Sequence, residues 1–319
     1  MTADSASTGA VHFFKRAILM RRRTTALVLL LVIAIGAATL SLDDDAPSEV
    51  PMSAACREPD RGSHKAAASI SDWRTDPAVF IAHGGGGIEG KTYTSSLEAV
   101  ELSIRRGYRM IELDLQVTTD GYLVAAHDWK SFRQRTGRGP EDINDLPLSL
   151  AQFRSKAIDG HYTPLDEEAI RRLFLKHPEL NLVTDKIRDY PRLVRAFPFQ
   201  QRVIVEVFSP QDVALAKASG VANPMLSVGN LEASLPLILG QPVRHVALST
   251  NSLQRCPGAA RKIIESGRQV FLFTTDDATL MARHVGTHVS AFYSDYWHVK
   301  QGRCDGIACP ENKAKSDGR

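Results

Sequence analysis

The chain has little excess charge of either sign. Its 39 Lys and Arg residues against 36 Asp and Glu leave a formal net charge of +3, too small a field to argue for a nucleic-acid partner. Much of that excess is local, in Lys15, Arg16, Arg21, Arg22 and Arg23. Cysteine is scarce: Cys56, Cys256, Cys304 and Cys309 are scattered and form no Cys-x-x-Cys pair, which argues against a structural zinc site. No internal repeat and no low-complexity tract of consequence occurs apart from a charged tail after Cys309, so solenoid architectures are excluded. Charge-free apolar runs of membrane length are also rare. The one at Ala26–Leu42 has 17 residues and reaches roughly 26 Å as a helix, just enough to span a bilayer.

That run follows the basic cluster and precedes Asp43-Asp44-Asp45. Basic before and acidic after places the N-terminus in the cytoplasm and exports the remainder. A retained signal anchor and a cleaved signal peptide are the two competing readings, and a buried helix of the soluble fold suits the flanking charges poorly. The expectation is a single-pass inner-membrane protein with its main domain on the periplasmic or extracellular side, or a secreted form after cleavage. An even number of cysteines, all after the apolar run, agrees with an oxidising compartment. Three pairings are open, and Cys304 and Cys309 are near enough to join across a short loop.

The expected organisation is a basic leader over 1–23, an anchor over 24–42, a flexible linker over 43–76, a barrel over 77–300 and a Cys-containing tail over 301–319. With 43% hydrophobic residues the chain can fill one large core. From residue 77 short β-rich runs alternate with amphipathic stretches. Strands are expected at 79–83, 109–118, 181–187, 202–209, 223–229, 244–250, 269–275 and 289–295, most of them separated by helices such as 166–177, 211–219 and 259–266. Eight such units predict an α/β fold, a closed (β/α)8 TIM barrel, with function at the C-terminal strand ends. The segment 130–164 reads as an insertion over the mouth.

Chemistry-bearing residues gather at those ends. Ile81-Ala82-His83 runs into four glycines, Ile111-Glu112-Leu113-Asp114 follows a helical stretch, and Ala125-Ala126-His127-Asp128 closes the region. Residues two apart in a strand share a face. Glu112 and Asp114 therefore point the same way, and two carboxylates on one buried face repel and are costly to desolvate. A hard divalent cation, Mg²⁺ or Ca²⁺, is the usual remedy. Two nearby histidines supply a general acid and a general base. Asp185 follows an apolar strand, and Glu206, in Val203–Phe208, needs either a site or a buried ion-pair partner. Trp129 and Trp297 are candidates for lining the mouth, with ordinary packing as the alternative.

The stretch Ile81–Trp129 resembles the glycerophosphodiester phosphodiesterases, a family of phospholipase-C-like barrels. The resemblance rests on His83, Ser96-Leu97-Glu98-Ala99, Gly107, Ile111-Glu112-Leu113-Asp114, Thr119-Asp120-Gly121, Val124 and His127-Asp128. Leu182-Val183-Thr184-Asp185-Lys186 and Tyr293-Ser294-Asp295 extend it. It implies hydrolysis or cyclisation of glycerophosphodiester or lysophospholipid-type substrates with one divalent cation. His83 and His127 would be the acid–base pair, and Glu112, Asp114 and Asp185 would hold the metal. Two departures stand out: Gly84 occupies the place of an Arg, and Thr94-Ser95-Ser96 that of Glu-Asn-Thr. The reduced set is closer to sphingomyelinase D relatives, which place a Lys two residues after the later Asp. Here Lys186 is adjacent to Asp185 and is expected to face away. Phosphate would then fall to the backbone N–H groups of Gly84, Gly85 and their neighbours and to Lys91.

Two further functions remain open on the residues. A catalytically inactive barrel could serve as an envelope binding module. Gly85–Thr92 also matches G-x-x-x-x-G-K-[ST], the phosphate loop of nucleotide-binding proteins. The expected partners are a small-molecule or lipid phosphodiester and the membrane, with no nucleic acid and no obligate protein.

Overall fold

The computed structural model of the chain describes residues 53–58, 72–137, 144–306 and 309. The leader and the apolar run Ala26–Leu42, with the anchor reading they carry, lie outside these residues. No helix among the described residues is long and apolar enough to cross a membrane.

Eight parallel strands close into a barrel, and all eight fall inside the expected runs. In spatial order they are β1 (Phe80–Ala82), β10 (Ala291–Ser294), β9 (Gln269–Phe273), β8 (His245–Ser249), β7 (Asn223–Ser227), β6 (Val203–Val207), β5 (Asn181–Thr184) and β2 (Met110–Glu112), which returns to β1. Near-continuous burial on both faces explains their unbroken Val, Ile, Leu and Phe runs. One face of each strand packs on surrounding helices. The other fills the barrel with Ile81, Met110, Val183, Ile204, Met225, Ala247, Phe271, Ala291 and Tyr293. The crossover helices start and stop where local chemistry dictates. In α1 (Leu97–Arg106) the Ser96 hydroxyl accepts the Ala99 N–H, and Gly107 closes the helix at φ 102°, the left-handed conformation that glycine tolerates best. In α4 (Glu167–Lys176) Asp166 plays the N-cap part.

The single long strand expected over 109–118 is interrupted. β2 ends at Glu112, and Leu115–Val117 (β3) pairs antiparallel with Leu123–Ala125 (β4) in a separate hairpin. The Thr119-Asp120-Gly121 turn accounts for it: Thr118 N–H donates to the Tyr122 carbonyl and Gly121 takes φ 85°. The inserted segment then forms α2 (Trp129–Thr136) and α3 (Leu150–Arg154). These pack into a satellite core beside the barrel with Val124, Ala126, Phe132, Phe153 and Ile158.

The stretch expected as flexible linker is partly fixed. Cys56 is buried and joined to Cys256. Its carbonyl accepts the Gly258 N–H, and Glu58 pairs with Arg261 and His288. Trp73 stacks on Trp297 at 5.6 Å. Burial of these apolar groups outweighs the polar composition around them. The second disulfide, Cys304–Cys309, closes a loop of five residues. Because Cys56–Cys256 spans 200 residues, it removes far more unfolded-chain freedom. Replacing both of its cysteines by Ala is expected to cost about 2–5 kcal/mol. An unchanged denaturant midpoint in that double variant would show the staple to be idle.

Candidate active site

The strand period builds the site. Six interior apolar residues are followed, two positions on and therefore on the same face, by a residue of the mouth: Ile81 by His83, Met110 by Glu112, Val183 by Asp185, Ile204 by Glu206, Met225 by Ser227 and Phe271 by Phe273. These six, with Tyr93, Asp114, His127, Thr184, Lys186, Phe208 and Tyr293, line a cavity of about 260 Å³.

Glu112, Asp114 and Asp185 offer carboxylate oxygens that all lie within 4.8 Å of one another. Burial, with repulsion from Asp185 set against attraction from His83, pushes Glu112 up to about 7. Burial, Glu112 and Asp185 push Asp114 up to about 10. Burial also lifts Glu206 to about 7 against a Ser227 hydrogen bond. One oxygen each of Asp114 and Asp185 is buried with no hydrogen-bond partner. Orphaned buried carboxylate oxygens on converging, mutually repelling groups fit a hard divalent cation, which takes oxygen ligands and removes the repulsion.

Each histidine has its own carboxylate. His83 Nδ1 lies 3.0 Å from Asp295 Oδ1 and His127 Nδ1 lies 2.6 Å from Asp128 Oδ2. An ionised carboxylate only accepts, so both Nδ1 atoms carry the proton and Nε2 of each ring is left for the cavity. Burial pulls the His83 imidazole down, but the Asp295 hydrogen bond and the charges of Glu112, Asp295 and Asp276 outweigh it and raise it above its ordinary value. His127 does not sit at a barrel strand end as His83 does. It follows β4 of the separate hairpin, which folds it back over the mouth.

Several expectations are corrected. Lys186 does not face away: its φ of 60° turns the side chain into the cavity, with Nζ 3.2 Å from Asp185 Oδ2 and 3.9 Å from Asp114 Oδ1. Lys91 instead reaches Asp159 at 3.5 Å and does not line the cavity. The amides of Gly84, Gly86 and Gly87 are already engaged. Gly84 N–H donates to Glu112 Oε2 at 2.6 Å, and those of Gly86 and Gly87 donate to the carbonyls of His83 and Asp295. Gly85 packs on α1, its carbonyl accepting the Ser103 hydroxyl. The phosphate-loop reading fails for the same reason, and because Ile88 and Lys91 close a tight turn well before α1 begins. Trp129 is buried against Phe132 and Phe153. Trp297 is fully buried on Phe80 and Trp73, its indole N–H donating to the Arg74 carbonyl. Both rings gain more from packing than from the mouth, and neither lines the cavity.

Tyr93 was not anticipated. Its ring meets His83 edge-on at 4.2 Å and His127 at 5.4 Å, dividing the two imidazoles. Gly84 explains its approach: at φ 54° a Cβ there would stand 2.9 Å from the Tyr93 Cα. An Arg at position 84 is incompatible with this loop. Ser227, Phe273 and Tyr293 carried a usable signal, their period-two offset from interior residues. Lys186 and Tyr93 carried none, since both depend on left-handed backbone in loops.

Residues 87–217 match the Glycerophosphoryl diester phosphodiesterase family. The chain is 25% identical over 162 residues to the Lysophospholipase D GDPD3 of Mus musculus, covering 46% of this chain and 47% of that protein. It thus spans about half the length of the curated relatives it matches first. Among solved structures, a glycerophosphodiester phosphodiesterase from Parabacteroides distasonis superposes with a TM-score of 0.55 at 17% identity, covering 71% of this chain and 96% of that one. A phosphodiesterase of Oleispira antarctica, solved with its product sn-glycerol-3-phosphate, gives 0.55 at 19% identity over 70% and 95%. These likenesses establish the fold. The matched segment, which contains Glu112, Asp114 and His127, makes the chain similar to the glycerophosphodiester phosphodiesterases.

Proposed function

We propose that the protein is a metal-dependent phosphodiesterase acting on glycerophosphodiester or lysophospholipid-type substrates. One observation carries the reading: two imidazoles, each held by its own carboxylate through Nδ1, face one cavity that also contains three converging carboxylates. Glu112, Asp114 and Asp185 would hold Mg²⁺ or Ca²⁺, which when bound neutralises phosphate charge. Lys186 adds a fixed cation at the same wall and takes the part expected of the missing Arg. Its backbone strain, on the order of 1–3 kcal/mol, is offset by the ion pairs to Asp185 and Asp114. Glu112 is oriented by the Gly84 N–H. One histidine removes the proton from the attacking oxygen, and the other delivers a proton to the departing alkoxide. The attacking oxygen is that of water or of a substrate hydroxyl, giving a monoester or a cyclic phosphate.

The test is phosphorus NMR of the purified protein with glycerophosphocholine and lysophosphatidylcholine, in Mg²⁺ or Ca²⁺ and again in chelator. A new monoester or cyclic-phosphate resonance, lost in chelator and restored by the cation, is expected. No turnover of either diester, or turnover indifferent to exhaustive chelation, defeats the reading.

A further inference from the structure

A second cavity of about 460 Å³ adjoins the first. The two share Tyr93 and His127 and no other lining residue. One wall is the loop Thr92–Thr94. The other is the end of β4 and the inner face of α2, with Ala125, Ala126 and Phe132, closed by Ile158 from the inserted segment. Its chemistry contrasts with the first cavity. Among the described residues no carboxylate lines it. Among the described residues its one guanidinium, Arg135, is engaged: Nη1 donates to the carbonyls of Thr92 and Tyr93, while Nε and Nη2 donate to Asp159. A charged ligand group would therefore find neither a free cation nor a counter-charge, whereas an apolar one meets methyl groups and two aromatic rings. The volume is in the range of ligand pockets and exceeds that of the carboxylate cavity beside it.

We propose that this second cavity is a subsite for a neutral, apolar substituent of the phosphodiester. It takes the acyl- or alkyl-bearing side of a lysophospholipid-type substrate, whose ester oxygen lies next to His127. The inference rests on the phosphodiesterase reading and adds to it where the chain of the substrate goes. A phosphate beside His127 carries one substituent toward the carboxylates and the other past Tyr93. Tyr93 is the partition, and Arg135 holds it there through the two loop carbonyls.

The experiment compares lysophosphatidylcholine, below its aggregation concentration, with glycerophosphocholine. These share phosphate and head group and differ in the acyl chain. Gln134→Trp, at an exposed position of α2, and Thr92→Trp, on the opposite wall, each fill the cavity; thermal melts confirm that both variants fold. The ratio of kcat/KM for the two substrates is expected to fall by about tenfold or more in each, the scale of displacing two or three methylene contacts. A ratio within about threefold of wild type in both variants overturns the subsite. A second arm needs no turnover. Calorimetric titration of monomeric dodecylphosphocholine into the His83→Ala protein should show binding, and adding Gln134→Trp should weaken it about tenfold or more. Absent binding to the His83→Ala protein, or equal affinity in the single and double variants, overturns the proposal. If the wild type turns over neither substrate yet the titration behaves as expected, the phosphodiesterase reading fails and the apolar subsite stands.

Discussion

Replacing His83 or His127 by Ala is expected to lower turnover by roughly 10²- to 10⁴-fold, about 3–5.5 kcal/mol of transition-state stabilisation. The basis is geometric. Each ring is fixed by a carboxylate on Nδ1, and both line one cavity. The double variant should be little worse than the poorer single one, because a general acid and its paired base act as a unit. Asp295→Asn adds a readout that a packing role would not produce. It removes the carboxylate charge that raises His83 and strengthens its Nδ1 hydrogen bond, and leaves the burial that lowers it. The His83 limb of the pH–rate profile should therefore move to lower pH. Turnover within about threefold of wild type in either Ala variant, or an unmoved limb in Asp295→Asn, would remove the two-histidine mechanism.

The second large effect concerns the carboxylates. Glu112 and Asp114 are raised to about 7 and about 10, so the metal-free folded protein retains protons that the unfolded chain releases above about pH 4. Where the folded state binds more protons, stability falls as pH rises. For Glu112 that window runs from about pH 4 to about 7, and for Asp114 to about 10. Metal-free protein should thus lose stability from pH 5 to 9, and Mg²⁺ or Ca²⁺ should restore it by binding the folded form. Asp114→Asn should remove part of the repulsion. It should make the metal-free protein more stable at pH 8 while weakening cation binding by about 100-fold or more, since even groups outside the ligand set change affinity 10–100-fold. Thermal melts with and without cation measure both. A variant that is less stable than wild type without metal, or that binds cation equally well, would falsify the ligand assignment.

Much of this was legible along the chain because barrel strands obey a short-range rule. Burial on both faces writes unbroken apolar runs, and a period of two fixes which residue follows each interior side chain into the mouth. His83, Glu112, Asp185 and Glu206 were readable on that ground alone, as was Asp114 beside Glu112. What only the tertiary structure decided lies where backbone leaves the regular regions or where long-range packing outweighs residue type. Lys186 enters the cavity because one residue takes a left-handed turn, which no spacing encodes. Tyr93 stands between the histidines because Gly84 lets the later part of the same connection fold back on it. Asp295 reaches His83 across 212 residues of chain because closure of the barrel sets β10 beside β1. Trp129 and Trp297 were open to two uses in sequence, and the area they bury decided for the core. Cys56 lies in a stretch that reads as linker, yet it is fixed to the barrel because its partner, Cys256, is brought beside it only by the fold.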